Sequence, residues 1–425
     1  MLTVGSIICA KAVDVDYQGQ GIVKHEDHVI FVRGMLKDEV ANIQIKTLKK
    51  RFAEGFIISL ITPSLHRRDH ADLAYGSMDL LHMKDEEQLS WQVKTTKETF
   101  LKVGQMDPVL EPIITDRKFV HYRNKSVFHV MNHPTLTLGL FHINQSGLTP
   151  ITSFLLADEI TNQIIGDLIQ AHISIDHTKL KHIAIRTNEN QQALVTLVAA
   201  TKSFKGLNSI VEVLKSNKHV VGVTLNVKDH PHKIFGNVSY ALYGQNMIDM
   251  RLGQYTYPVT DQTFFQVNIP VISMAYQLIK DHLLKDAHVI DLYSGVGSIG
   301  YYLIDHIASL KMIETNKDAI QMAQMIKEKY QLNQVTITHG EAESMIKTHE
   351  NVLIVDPPRS GLQAKLIDHI LTDPFEQMFY LSCDLKTLVR DLKVLTTCYQ
   401  IDKVYPIRMF PQTTECETLV ILRKK

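Results

Sequence analysis

The chain has 425 residues, 45% hydrophobic and 21% charged, the mix of a globular protein and too long for one ordinary domain. No apolar run approaches the ~20 residues that span a bilayer, and the first residues lack the basic-then-apolar order of a signal peptide. Net charge is zero, so any contact with nucleic acid has to come from local patches rather than from the field of the whole molecule.

Residues 1–60 read as short strands punctuated by Gly19, Gly21 and Gly34, and "VANIQIKTL" alternates apolar and polar positions with period two. A small β-barrel fits this pattern. Residues 1–68 carry ten Lys/Arg against seven Asp/Glu. Lys46, Lys49, Lys50 and Arg51 sit together, either as a phosphate-binding patch for RNA or as a solvated turn. Residues 61–85 are polar and irregular, and read as a linker.

Residues 86–255 mix helix and strand, the pattern of an α+β region. "EEQLSWQVKTTKETFLKVG" has helical spacing, with Leu89, Val93 and Phe100 on one face and Gly104 as a stop. "FLLADEITNQIIGDLIQ" and "LNSIVEVLKS" read as helices. "HIAIRTNENQQALVTLVAA" reads as a hairpin turning at residues 188–191. No catalytic motif stands out here. From 256 to 425 strands and helices largely alternate, which predicts a parallel sheet covered by helices on both faces. The chain ends in two further strands.

In that last region "DLYSGVGSIG" sets Gly295, Gly297 and Gly300 between a strand and a helix. Glycine lets the backbone lie close to a ligand, and a helix N-terminus favours electron-rich groups. Glu314, 14 residues past Gly300, can accept hydrogen bonds from ribose hydroxyls. A dinucleotide, S-adenosylmethionine or a plain tight turn all satisfy this motif. A later strand ends in Asp356-Pro357-Pro358-Arg359. There the two prolines stiffen an acidic corner at the edge where open α/β sheets bind ligands.

"FYLSCDLKTLVRDL" puts Cys383 on the same edge, opening a helix. A thiolate there would be a nucleophile. Adding at C6 of uracil, it would make C5 electron-rich enough to accept a methyl group. A base must then remove the C5 proton. "MFPQTTECETLVIL" offers Glu415 and Glu417, and Glu417 begins the apolar strand. "TFFQVN" supplies Gln266 to bond a cofactor or base edge, and Phe264 and Phe265 to stack or pack.

The cysteines at 9, 383, 398 and 416 form neither a CxxC pair nor a zinc spacing. Free thiols in a reducing cytoplasm are expected. The pairs His66/His70 and His230/His232 lack a ligand set around them, so no metal is expected.

Together, "FFQVN", "DLYSGVGSIG", "DPPRSGL", "YLSCD" and "FPQTTECETL" resemble, in order, the motifs of the RNA 5-methyluridine methyltransferases that carry an N-terminal TRAM domain. "DVDYQGQGIVKHEDHVIFVRGMLKDEV" resembles the TRAM barrel, and "YRNKSVFHV" a strand of the family's central domain. The resemblance covers nearly the whole chain. It implies a class I (Rossmann-like) α/β methyltransferase domain at 256–425. Before it would come a TRAM β-barrel at 1–60, a linker at 61–85 and an α+β central domain at 86–255. It assigns Gln266, Tyr293, Glu314 and Asp356 to S-adenosylmethionine, Cys383 to the nucleophile and Glu417 to the base. It implies a monomer acting on RNA with the base flipped out. 23S ribosomal RNA is favoured, a tRNA T-loop uridine is the alternative, and a non-catalytic RNA-binding or ribosome-assembly protein is the rival.

The sequence departs from the family at several places. Many members hold a 4Fe–4S cluster through four cysteines, three of them ahead of the central domain. "RDHADLAYGSMDLLHM" has none, so no cluster is expected. Ser294 replaces a cysteine, Asp384-Leu385 replaces Asn-Pro, and Gln412 and Glu415 replace two histidines. An unpaired carboxylate at Asp384 would raise the pKa of Cys383.

Overall fold

The computed structural model describes residues 2–69, 77–142, 147–230 and 232–425. Five strands, β1 (Ile7–Val15), β2 (Gln20–His25), β3 (His28–Arg33), β4 (Val40–Leu48) and β5 (Phe52–Thr62), close into a barrel in the order β1-β2-β3-β5-β4. The period-two pattern of β4 does what it predicts. Ala41, Ile43 and Ile45 point into the barrel core with Val23, Ile30 and Val32. Lys49, Lys50 and Arg51 lie exposed in the turn between β4 and β5, with Lys46 exposed nearby on β4.

The stretch after the barrel is more than a linker. Leu80 and Met83 are buried in a small cluster with Leu36 of the barrel and Trp91. Helix α1 (Asp85–Thr99) follows and ends in a π-helical turn, Phe100–Gly104. It packs on the C-terminal region, not the central one. Its buried face also differs from the expected Leu89, Val93 and Phe100. Leu89 and Phe100 are buried, but Val93 is only partly so. Trp91 is buried as well, and the other buried positions are polar, namely Gln88, Gln92, Thr95 and Thr96. The burial of Gln88 and Gln92 is offset by hydrogen bonds to the distant segment that carries Arg408 and Gln412, and the Thr96 hydroxyl donates to the Gln92 carbonyl at 2.9 Å.

The central region holds β6 (Lys125–Val130), β7 (Leu138–Phe141), β8 (Leu148–Pro150), α2 (Glu159–Gln170), β9 (Leu180–Thr187), β10 (Ala193–Ala199), α3 (Leu207–Ser216), β11 (Val220–Val227) and β12 (Val238–Gly244). The strands form one sheet in the order β12-β11-β10-β9-β6-β7-β8. Ile164 and Leu168 of α2, and Ile210 and Leu214 of α3, join its core. Strands β9 and β10 form the expected hairpin. Helix α2 starts later than the apolar pattern predicts, because Asp158 caps it by accepting the Thr161 N–H at 2.7 Å.

A two-stranded ribbon, β13 (Met247–Leu252) and β14 (Tyr255–Thr260), straddles the expected boundary at 255/256. Both strands bury side chains in the C-terminal core, among them Met250 and Tyr257. That core is built on α4 (Ile269–His282), β15 (Ala287–Leu292), α5 (Ser298–Leu303), β16 (Ile307–Glu314), α6 (Lys317–Lys329), β17 (Val335–His339), β18 (Val352–Val355), α7 (Ala364–Thr372), β19 (Gln377–Ser382), α8 (Leu385–Leu395), β20 (Tyr399–Ile407) and β21 (Glu417–Lys424). The sheet runs β17-β16-β15-β18-β19-β21-β20. Strands β15 to β19 are parallel, and β21 is antiparallel to β19 and β20. Strand order reverses between β15 and β18, so the loops after these strands open a crevice at their carboxyl ends.

Candidate active site

Four loops meet at that edge. After β15, Tyr293 adopts φ +61° and Gly295 and Gly297 adopt φ +56° and +82°. The three glycines do different jobs. A Cβ on Gly297 would approach Tyr301 and Met312 within 3 Å, and one on Gly300 would press on Leu310 at 2.6 Å. Those two glycines are packed closely against neighbouring side chains. A Cβ on Gly295 would meet nothing within 4 Å, so here the backbone lies bare beside open space, as a ligand-binding loop requires.

Glu314, at the end of β16, is aimed at this loop. Its carboxylate accepts the N–H groups of Gly295 at 2.8 Å, Thr315 at 2.8 Å and Asn316 at 2.7 Å. Asp291 lies beneath the loop. Burial, then the nearby Asp356, push its pKa up to about 8, against the opposing pull of the Gly300 amide. Burial pushes Asp356 itself, just past β18, up to about 7. The side chain of Gln266 is within hydrogen-bond reach of the Tyr276 hydroxyl, which feels both Asp356 and Asp291. The two phenylalanines part company, since Phe265 is core and Phe264 is 76% exposed.

Cys383 follows β19, and Glu417 opens β21 on the neighbouring strand. Burial pushes the Cys383 thiol up to about 11, with Glu417 and Asp356 adding to the effect and Arg359 opposing it. Burial likewise pushes Glu417 up to about 8, reinforced by Asp356 and Glu415 and opposed by Arg359. The four groups thus sit in one electrostatic cluster. Arg359 is its cation, and it also pairs with Glu415 at 2.6 Å.

Each departure in this region has a local role. The Asp384 carboxylate accepts the Thr387 N–H at 2.8 Å and caps α8. Glu415 holds Arg359 over the site. Gln412 is fully buried under α1, accepting from Gln88 Nε2 at 2.7 Å and donating to Asp85 at 3.0 Å. Arg408, also fully buried, donates to Gln88 at 2.5 Å, to Gln92 at 3.3 Å and to the Thr413 carbonyl at 3.1 Å. It anchors the segment that carries Glu415 and Glu417. Arg408→Met should leave the Gln92 side-chain carbonyl without its charged donor and the Gln88 side-chain carbonyl with the Gln412 N–H alone. A loss of about 3 kcal/mol is expected in urea unfolding.

A cavity of about 250 Å³ opens beside Cys383, lined by Arg359, Asp384, Lys386 and Glu415 on one side. On the other side are Tyr17 and Gln18 of the barrel. Charge clustering in the sequence points to Lys46, Lys49, Lys50 and Arg51 for RNA contact in the barrel, yet none of these four lines the cavity. The β1–β2 loop does, and it lies within the stretch that resembles the TRAM barrel. Its local signal is an aromatic residue between Asp16 and the glycine turn.

Among the described residues no group of three or more His, Cys, Asp or Glu could hold a metal. The His230 and His232 rings lie 5.8 Å apart, tilted by 57°, and the His232 backbone N–H donates to His230 Nδ1 at 3.3 Å. His70, and residues 70–76 of the stretch compared with an iron–sulfur loop, lie outside the described residues. Among the described residues no helix is long and apolar enough to cross a membrane.

A family model described as tRNA (uracil-5-)-methyltransferase matches residues 86–425. The chain belongs to this family. It is an RNA methyltransferase of the uracil-C5 type. An uncharacterized RNA methyltransferase of Staphylococcus aureus is 29% identical, over 97% of this chain and 97% of that one. One from Streptococcus pyogenes serotype M3 is 29% identical over 96% of both. The crystal structure of Pyrococcus abyssi tRNA (uracil-54, C5)-methyltransferase in complex with S-adenosyl-L-homocysteine superimposes with a TM-score of 0.81. It is 20% identical and covers 97% of this chain and 99% of that one. That likeness establishes the shared fold, barrel included.

Proposed function

We propose that this methyltransferase uses S-adenosylmethionine to methylate C5 of a uridine in RNA, with Cys383 as nucleophile and Glu417 as base. The observation that carries the assignment is the cluster of Cys383, Glu417, Asp356 and Arg359 at the crevice where the strand order reverses.

The residues fit the cofactor. Gly295 offers bare backbone beside open space, Glu314 faces that loop as an acceptor, and the family resemblance assigns Tyr293, Asp356 and Gln266 to the same cofactor. S-adenosylmethionine, when bound, supplies the electrophilic methyl group. The chain's own residues do the rest. The Cys383 thiolate forms a bond to C6 of the flipped uracil, and the C5=C6 electrons move toward O4. C5 becomes nucleophilic and takes the methyl group. C5 then carries both methyl and hydrogen. The Glu417 carboxylate removes that hydrogen as a proton, the C5=C6 bond re-forms, and the thiolate leaves.

The pKa directions set the pH dependence. Both Cys383 and Glu417 must be ionised to act, and both are pushed up, to about 11 and about 8. The rate should therefore climb from pH 6.5 to pH 9. Arg359 favours both anions, so Arg359→Ala should raise both pKa values and move the profile to higher pH. At a pH below its pKa, a group whose pKa rises by one loses about tenfold in its ionised fraction. A pH–rate series on both proteins checks this, and an unchanged profile in the variant would remove Arg359 from the mechanism.

For the substrate we favour 23S ribosomal RNA, on the resemblance of the barrel and the "GVGSIG" loop to that branch. A tRNA T-loop uridine is the second reading. It is supported by the tRNA enzyme from Pyrococcus abyssi, whose chain matches over its whole length and so includes a barrel. Nucleoside mass spectrometry with site mapping, on ribosomal and transfer RNA from a deletion strain, decides between them. Loss of 5-methyluridine from neither RNA would refute the proposal.

A further inference from the structure

We infer that Tyr17 of the barrel is a stacking platform for a nucleobase adjoining the target uridine, and that Lys386 takes the phosphate beside it. The inference rests on the RNA-methylating reading above and adds a substrate subsite to it. Tyr17 and Lys386 both line the Cys383 cavity, but they come from opposite ends of the chain.

The loop that carries Tyr17 is held rigidly. The Asp16 side chain accepts the N–H groups of Gln18 at 2.9 Å and Gln20 at 2.8 Å. The Trp91 indole N–H donates to the Asp16 carbonyl at 2.9 Å and ties the loop to α1. Gly19, at φ +73°, lies so close to its neighbours that a Cβ would meet Leu80 at 2.5 Å and Thr414 at 3.2 Å. Thr414 directly precedes Glu415 and belongs to the segment that delivers Glu417. The barrel loop is therefore docked against the catalytic segment itself.

In this fixed loop Tyr17 remains 49% exposed. A tyrosine serving only to join two domains would be expected to bury its ring. The Lys386 ammonium lies 3.7 Å from the ring centroid, so it covers one face by cation–π attraction and leaves the ring available to a second partner. An RNA that flips one base into the cavity loses stacking on both sides of that base. An exposed aromatic ring at the mouth replaces that stacking for a neighbouring base of any identity. A lysine beside it matches the phosphate that joins the two nucleotides.

The test uses the full chain and unmodified ribosomal plus transfer RNA from a strain lacking the gene, with labelled S-adenosylmethionine. Tyr17→Ala should lower kcat/KM for RNA by about tenfold, through KM, as loss of one base stack predicts. KM for S-adenosylmethionine and the melting temperature should not move. Tyr17→Phe keeps the ring and should stay within about twofold of wild type. Ultraviolet crosslinking of the wild type to the same RNA should attach a nucleotide to the peptide carrying Tyr17. Wild-type kcat/KM in Tyr17→Ala, or no crosslink on that peptide, overturns the inference. So does an equal rise in KM for both substrates together with a lower melting temperature, which would mark Tyr17 as a domain-docking residue. If the wild type methylates none of these RNAs, the functional reading fails. The crosslink then still decides whether Tyr17 meets RNA.

Discussion

Cys383→Ala should abolish methyl transfer, with a fall of about four orders of magnitude or more, the scale expected for loss of a covalent nucleophile. The side chain sits between β19 and the cap of α8, and alanine fits both without strain. Asp384 still caps the helix through Thr387. Folding, S-adenosylhomocysteine binding and RNA binding should therefore survive, which separates loss of chemistry from loss of structure. With 5-fluorouridine in the RNA, C5 has no hydrogen to release. The wild type should then stay joined to the RNA through a bond that withstands denaturation, and the alanine variant should form none. Cys383→Ser should be nearly as inert, because a hydroxyl is the weaker nucleophile in a pocket that already disfavours anions. Methylation at the wild-type rate by the alanine variant would end the covalent mechanism.

How much of this site the sequence discloses depends on how local each signal is. The barrel is legible because Ala41, Ile43 and Ile45 alternate along one strand. The glycine loop, Asp356 and Cys383 are legible because glycines, prolines and a strand-terminal thiol mark the carboxyl edge of a parallel sheet within a few residues. Signals carried by distant partners are not. Gln88 and Gln92 turn α1 inward, though the apolar spacing points to Val93 instead. Their partner Arg408 lies more than 300 residues away in the chain. The same separation hides the meaning of Gln412, which in the sequence stands out only as a replacement for one of the family's histidines. It is a buried hydrogen-bond link between α1 and the segment before Glu417. Tyr17 cannot be placed at Cys383 from sequence because only the docking of the barrel brings them together. Helix α7 escapes notice for a different reason. At 9 residues it is too short for a helical repeat to stand out.

Glu417→Gln should stop turnover while leaving the first bond-forming step intact, which is the opposite of what Cys383→Ala does. The neutral amide cannot take the C5 proton, so the reaction should halt with RNA still attached to Cys383. Turnover should fall by about 10²–10⁴. Two effects act on the attack itself. Glutamine is nearly isosteric, so the strand pairing of Glu417 with Ile407 should persist. Removing the carboxylate also removes the largest charge-based cause of the raised thiol pKa, so the thiolate should form more readily than in the wild type. Ordinary RNA, without any fluorinated base, should then give a denaturation-stable protein–RNA species in the variant. Acid slows both steps in the wild type: between pH 9 and pH 6.5 the thiolate fraction of Cys383 falls about 300-fold and ionised Glu417 about 30-fold, so attack slows more than release and less wild-type enzyme should be trapped at pH 6.5 than at pH 9. The Gln variant should trap RNA across that range with little dependence on the base. If it turns over like the wild type, or traps nothing at any pH, the C5 proton leaves by another group. Asp356 would then be the next carboxylate to replace, since its field already reaches both Cys383 and Glu417.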